Sequence, residues 1–318
     1  MRHAIVIRTA IAVFALTATV LAVAQPRPTE SGFLQVEDDI RLFYQRFGTG
    51  TPVLFSPMRS EMVTTFAPLL ERVDAVLWDA RGFGLSDRPD DFARVGLDHE
   101  LVDAEAMRRH FGAERVYYLG GSLWGPVGML YAARHPGSVA GVISMAPLAI
   151  AAELMGEPDN PIVRDLTAQE AELDAMRADG RDRSEAYTFC VLENRVAFSG
   201  SYVDIDNYAR FEVANLCQYE NWHPHNVLPL VFEGIFGSFG AWDWRHELSG
   251  VEPPVLLLYG DHEAWPLAGV RAYTEVVPNL AWREFVDVGH HVWNERTDEV
   301  IAMVETFLTG VWPTGAQR

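Results

Sequence analysis

Short apolar runs alternate with amphipathic stretches along most of this chain, and that alternation constrains its fold more than any other feature. "PVLF", "AVLWDA", "RVYYLG", "VAGVISMAP", "PVLLLYG" and "WREFVDVG" read as strands. Between them "EMVTTFAPLLERV", "LDHELVDAEAMRRHFG", "LWGPVGMLYAARHPG", "LAGVRAYTEVVP" and a final "DEVIAMVETFL" carry apolar residues at helical spacing, with Gly112 and Pro136 as stops. Continuous apolar strands separated by helices predict an α/β protein: a mostly parallel, doubly wound sheet covered by helices on both faces. "FLQVEDD" and "IRLFYQRFG" precede this pattern and predict a hairpin. The rhythm breaks between residues 149 and 247. "TAQEAELDAMRADG" is an acidic helix there, and "FEVANLCQYENWHPHNVLPLVF" and "GSFGAWDWRHEL" are rich in aromatic residues. A core of residues 25–148 and 248–318, interrupted by a mainly helical cap at 149–247, accounts for the break.

The first 24 residues carry Arg2 and Arg8, then an apolar stretch from about Ala10 to Val23, then Ala22-Val23-Ala24. This predicts a secretory signal peptide with Gln25 as the mature N-terminus. The apolar stretch is shorter than the ~20 residues of a full span. The expected product is exported, periplasmic or secreted, with no stable membrane insertion. If the signal is not cleaved, it becomes a membrane anchor. Export permits a disulfide between Cys190 and Cys217, and two buried thiols are the alternative. The 318 residues are 49% hydrophobic and 22% charged, enough for a real core. A net charge of −19 argues against nucleic acid and for neutral or cationic small substrates. No metal-ligand cluster is present, and "GGSLWG" lacks the dinucleotide spacing, so no metal or cofactor is expected.

Ser122 follows Gly120-Gly121 where a strand meets a helix. A serine on such a turn has its hydroxyl exposed, and the helix N-terminus and the Leu123 N–H would face a developing oxyanion. Serine is also a common helix cap. Trp124 stands two residues after the serine, where G-x-S-x-G has glycine. A serine nucleophile needs a base, and the base needs a carboxylate. "DHEAWP" and "HHVWNE" supply both, each directly after a strand.

In that order of serine, acid and histidine the chain resembles the α/β-hydrolase superfamily over nearly its whole mature length. The resemblance is carried by "WDARGFGLSDRP" (78–89), "GGSLWGPVGMLYAARHP", "GDHE" (260–263) and "GHHVWNE" (289–295). It implies His290 as general base, with His291 as its neighbour. It implies Glu263 as the acid, with Asp261 as runner-up in the same turn. The family's His-Gly after the third strand is replaced by Ser56-Pro57, and Pro57 has no N–H to give. Met58 is the expected second oxyanion donor, with Ser56 or Arg59 if the register slips.

The narrower resemblance is to the proline iminopeptidases, through "GGS", "WDARGFGLSDRP" and "DWRHEL". "CQYENWHP" is weakly similar to a cap segment of that family, which puts Glu220 where a glutamate binds the substrate's amino group. An ordinary surface glutamate is the alternative. Trp124, Trp222, Trp242 and Trp244 either line an apolar pocket or fill the core. The resemblance implies a serine hydrolase forming an acyl-enzyme, an aminopeptidase on small or short-peptide substrates with a free N-terminus. The alternatives are a carboxylesterase on small apolar esters and a low-turnover, hydrolase-like ligand-binding protein.

Overall fold

A computed structural model describes residues 26–51, 53–208, 217 and 228–318, with residues 228–232 through their backbone alone. The expected signal segment, Glu220 and Trp222 lie outside the described residues. One eight-stranded sheet runs in the order β1-β2-β4-β3-β5-β6-β7-β8. The strands are β1 (Glu30–Glu37), β2 (Ile40–Phe47), β3 (Leu54–Ser56), β4 (Ala75–Trp78), β5 (Val116–Gly121), β6 (Val139–Met145), β7 (Val255–His262) and β8 (Leu280–Gly289). The hairpin β1–β2 forms as expected and joins the sheet antiparallel through β2–β4. Every later pairing is parallel. The first six residues of β7 are all buried, as a strand covered on both faces requires.

The order reverses at β3, which pairs with β4 on one side and β5 on the other. In open parallel sheets the crevice beyond the carboxyl ends at such a point is where ligands bind. Met58 follows β3 there, and Ser122 follows β5.

The stretch expected as one helix after β3 forms two, α1 (Arg59–Met62) and α2 (Ala67–Leu70). Val63-Thr64-Thr65 between them is β-branched and favours helix poorly, while Pro68 suits the first turn of a new helix. The helices α3 (Leu97–His110) and α4 (Trp124–Arg134) lie where the spacing put them. Between β6 and β7 come α5 (Thr167–Asp179), α6 (Arg181–Ser184), α7 (Ala186–Ala197), α8 (Leu228–Phe239) and α9 (Arg245–Leu248). Leu173, Met176 and Phe189 make a small core of their own there. The Cys190–Cys217 disulfide, left open by the sequence, is formed and spans 27 residues. The last helices are α10 (Leu267–Val276), α11 (Val292–Glu295) and α12 (Thr297–Leu308). Among the described residues no helix is long and apolar enough to cross a membrane.

Candidate active site

Ser122 takes φ = +53°, a left-handed conformation that an L-residue pays ~1–2 kcal/mol to hold. Three backbone hydrogen bonds impose it. Ser122 donates its N–H to Met145 O at 2.9 Å, and its own carbonyl accepts from Gly125 at 3.1 Å and Leu148 at 3.3 Å. Gly120 makes the turn sterically feasible, because a Cβ there would lie 2.2 Å from the Trp124 carbonyl oxygen. Backbone strain of this kind, at a turn between a buried strand and a helix, clusters at functional sites. Ser122 is partly exposed, whereas Gly121 and Leu123 on either side are buried.

Glu263 and His290 follow β7 and β8 directly, and β7–β8 pairing brings them together. Glu263 Oε2 lies 2.6 Å from His290 Nδ1, with the Glu263 side chain wholly out of solvent. Burial raises the Glu263 pKa, and the His290 ring and the N–H groups of Gly260 and Ala264 oppose that rise. The 2.6 Å contact also holds the orientation of the His290 ring. Asp261, the runner-up acid, is engaged elsewhere: Oδ1 contacts His262 Nδ1 at 2.8 Å and accepts the Val288 N–H at 3.2 Å. His291 points the other way. Its ring stacks on Tyr202 at 4.5 Å and 4°, and burial drives its pKa well below the ordinary value, so it is neutral.

Trp265 connects the two halves of the site. Its ring meets His290 edge-on at 4.5 Å, and its Nε1–H donates to Pro147 O at 2.9 Å, one residue before Leu148 bonds Ser122. Trp293 adds a second wall, 6.1 Å from the His290 ring and against Gly121. Neither was singled out by sequence reasoning, although both lie inside the turns that carry the acid and the histidine. Among the described residues no hydrogen bond joins Ser122 to His290. Such bonds often tighten only when substrate is bound.

The loop after β3 is fixed to the elbow in an unusual way. Gly121 donates its N–H to Met58 Sδ at 2.9 Å, and Met58 N–H points at Ser56 Oγ at 3.3 Å. Met58 is thus beside the serine, with its expected oxyanion donor on a long bond to a buried hydroxyl. The Leu123 N–H finds no acceptor among the described residues.

The indole of Trp124 does not line this site. It is buried, packs edge-on to Phe83 at 5.2 Å and donates Nε1–H to Glu100 Oε2 at 3.2 Å. The large residue at the usual glycine position therefore faces inward, toward α3, and leaves the elbow intact. Trp242 and Trp244 likewise stack on each other at 5.6 Å and against Phe239, as packing. Among the described residues no group of His, Cys, Asp or Glu could hold a metal ion.

Burial, reinforced by Asp103, raises the Glu100 pKa to about 8. The folded protein therefore keeps this carboxyl protonated at neutral pH, while the unfolded chain ionises above ~4.5. Its contribution to stability is complete below pH ~4.5 and is lost as pH rises toward 8. Glu100→Gln keeps the acceptor for Trp124 and removes the proton linkage. It should be the more stable protein at pH 8–9, by on the order of a few kcal/mol, with no advantage near pH 5. Melting temperatures of both proteins across that range check this.

With the geometry in hand, similarity to known proteins becomes informative. A family model described as the alpha/beta hydrolase fold matches residues 57–295, and the chain belongs to that family. A proline iminopeptidase of Lactobacillus helveticus (strain DPC 4571) is 22% identical over 254 residues, covering 73% of this chain and 79% of that protein. A non-heme haloperoxidase of Rhodococcus erythropolis is 25% identical over 294 residues, covering 87% and 98%. Among solved structures, the enol-lactonase of Burkholderia xenovorans LB400 superposes with a TM-score of 0.63 at 19% identity, covering 87% of this chain and all of that one. The architecture is that of an α/β hydrolase.

Proposed function

We propose that this protein is a serine hydrolase acting through an acyl-enzyme, with Ser122 as nucleophile, His290 as general base and Glu263 as the orienting carboxylate. The observation that carries this reading is the buried 2.6 Å Glu263–His290 contact, at the sheet edge that also holds the strained serine. Ser122 Oγ attacks a carbonyl carbon, and its proton passes to His290 Nε2. The oxyanion sits against the Leu123 N–H and the Met58 N–H, which exchanges Ser56 for it. His290 then protonates the leaving group, and water activated by the same ring clears the acyl group.

The substrate class proposed is small molecules or short peptides with a free N-terminus, as for a proline iminopeptidase. The similarity to the Lactobacillus protein and the motifs around residues 78–89 and 122 support it. A second reading, a carboxylesterase on small apolar esters, is favoured by the oxyanion loop. Pro57 offers no N–H, the Met58 N–H is already engaged, and losing one donor costs ~10²–10³ in rate. Esters tolerate that loss better than amides do. The test compares kcat/KM for a prolyl arylamide and a short-chain aryl ester, with Ser122→Ala as control. Preference for the amide, lost when its amine is acetylated, is the expected result. Preference for the ester whatever the amine selects the second reading. Failure to turn over either, with no fluorophosphonate labelling of Ser122, leaves a binding protein.

Export is part of the same proposal. The Cys190–Cys217 disulfide supports it, because such bonds persist in oxidising compartments.

A further inference from the structure

Strand β5 outruns its neighbour β3. Leu54 and Phe55 pair with Tyr117 and Tyr118, and β3 then ends at Ser56, whereas β5 runs on to Gly121. Tyr117 donates its N–H to Val53 O at 2.7 Å, on the β3 side. Amide directions alternate along a strand, so Gly121, four residues on, faces the same side. In an uninterrupted ladder its acceptor would be the Pro57 carbonyl. The chain turns away instead. Met58 forms an isolated antiparallel bridge to Asp79, and its carbonyl accepts from Glu61 at 3.1 Å and Met62 at 2.9 Å to begin α1. The acceptor that Gly121 finds is the Met58 thioether, at 2.9 Å. Ser122, the next residue, sends its N–H the other way, to Met145 O.

Packing reinforces that bond. A Cβ on Gly121 would stand 3.3 Å from Met58 Cε and 2.9 Å from the Trp293 ring. The Met58 side chain, itself buried, is therefore seated on the bare face of the residue directly before Ser122. The rest of the loop is held from the other side. Asp79 accepts from the Arg59 guanidinium at 2.6 Å, the Ser60 N–H at 3.2 Å and the Leu85 N–H at 2.9 Å. Asp79 thus ties the loop to the end of β4, and the thioether ties it to the elbow. A thioether is a weak, polarizable acceptor. Here it stands where a backbone carbonyl would otherwise satisfy a buried N–H, and such a group is costly to leave without an acceptor.

We propose that the Met58 side chain is a positioning element of the oxyanion hole: by holding the loop after β3 against Gly121, the thioether sets where the Met58 main-chain N–H stands relative to Ser122. This rests on the serine hydrolase reading above and adds to it a role for the sulfur that the main-chain donor does not require. Sulfur and N–H belong to one residue, so a shift of the side chain carries the donor with it. A displaced donor weakens the hold on the oxyanion of the transition state more than the hold on the ground-state substrate.

The test compares Met58→Leu, which keeps the volume and removes the acceptor, with Met62→Leu, the same change at a core methionine of α1. Active sites in each protein are counted by fluorophosphonate labelling carried to completion, so a loss of folded fraction does not imitate the result. The substrate is whichever of the arylamide and the aryl ester is turned over faster. Met58→Leu should lower kcat by about 10–10², less than the ~10²–10³ for deleting a donor, and leave KM within about threefold. Met62→Leu should leave both within about twofold. The second readout is inhibition by trifluoroacetophenone. The Ser122 oxygen adds to its carbonyl carbon, the C=O electron pair moves onto oxygen as an oxyanion, and the serine proton passes to His290. Its affinity for Met58→Leu should fall by the same factor as kcat. Unchanged kcat in Met58→Leu, an equal fall in Met62→Leu, or a ketone affinity that does not follow kcat overturns the proposal. Turnover and labelling of the unaltered protein read the hydrolase proposal separately. Turnover that ignores Met58→Leu sinks the Met58 role alone, whereas no turnover and no labelling sinks both.

Discussion

Ser122→Ala should lower kcat by on the order of 10⁴–10⁶ while barely moving the melting temperature. Both halves follow from the elbow. Ser122 Oγ forms no hydrogen bond among the described residues, so removing it breaks nothing in the packing. The turn is held by backbone bonds to Met145, Gly125 and Leu148, which alanine keeps. Ser122→Gly should be just as inactive, yet more stable than Ser122→Ala by about 1 kcal/mol, because glycine takes φ = +53° without a Cβ clash. The comparison separates the two roles of the position, since activity needs the hydroxyl and stability would be better without the side chain. Steady-state rates and thermal melts of the three proteins measure both. More than about 1% residual activity in the alanine variant would move the nucleophile elsewhere. Equal stability of the alanine and glycine variants would remove strain from the account.

The elbow also shows how far the sequence could be read. The strand order of serine, acid and histidine was legible because each follows an apolar run, and a parallel sheet carries all such ends to one edge. Glu263, preferred from its place in the turn, is the carboxylate that stands 2.6 Å from His290 Nδ1, while Asp261 bonds His262 and Val288. What packing decides was not legible. Trp124 looked like an obstruction at the elbow, and it is harmless because a buried carboxyl at Glu100, on a different helix, accepts its indole N–H. The sulfur of Met58 accepting the Gly121 N–H has no sequence signal, since methionine there reads only as apolar. Trp265 is likewise an ordinary residue in the chain. Its place in the site comes from what stands opposite, the His290 ring. The single helix expected after β3 failed because a β-branched run and a proline outweighed apolar periodicity.

Glu263→Gln is the second large effect expected, a fall in kcat of about 10⁴ with little change in KM. A carboxylate at 2.6 Å from Nδ1 fixes the tautomer that leaves Nε2 able to take the Ser122 proton, and it balances the imidazolium that results. A glutamine of the same shape can present its NH₂ to Nδ1, which selects the wrong tautomer, and in either orientation it carries no charge. The cost should therefore fall on the chemical step rather than on binding. Stability should change little, because burial works against the ionised Glu263 and offsets the support it draws from His290 and the N–H groups of Gly260 and Ala264. Asp261→Asn is the matched control two residues earlier. Asp261 bonds His262 and the Val288 N–H, so its loss should cost ~1 kcal/mol of stability and leave kcat within a few-fold. If kcat instead collapses in Asp261→Asn and survives in Glu263→Gln, the turn after β7 must rearrange when substrate binds. A structure with a fluorophosphonate adduct on Ser122 would then show which carboxylate faces Nδ1.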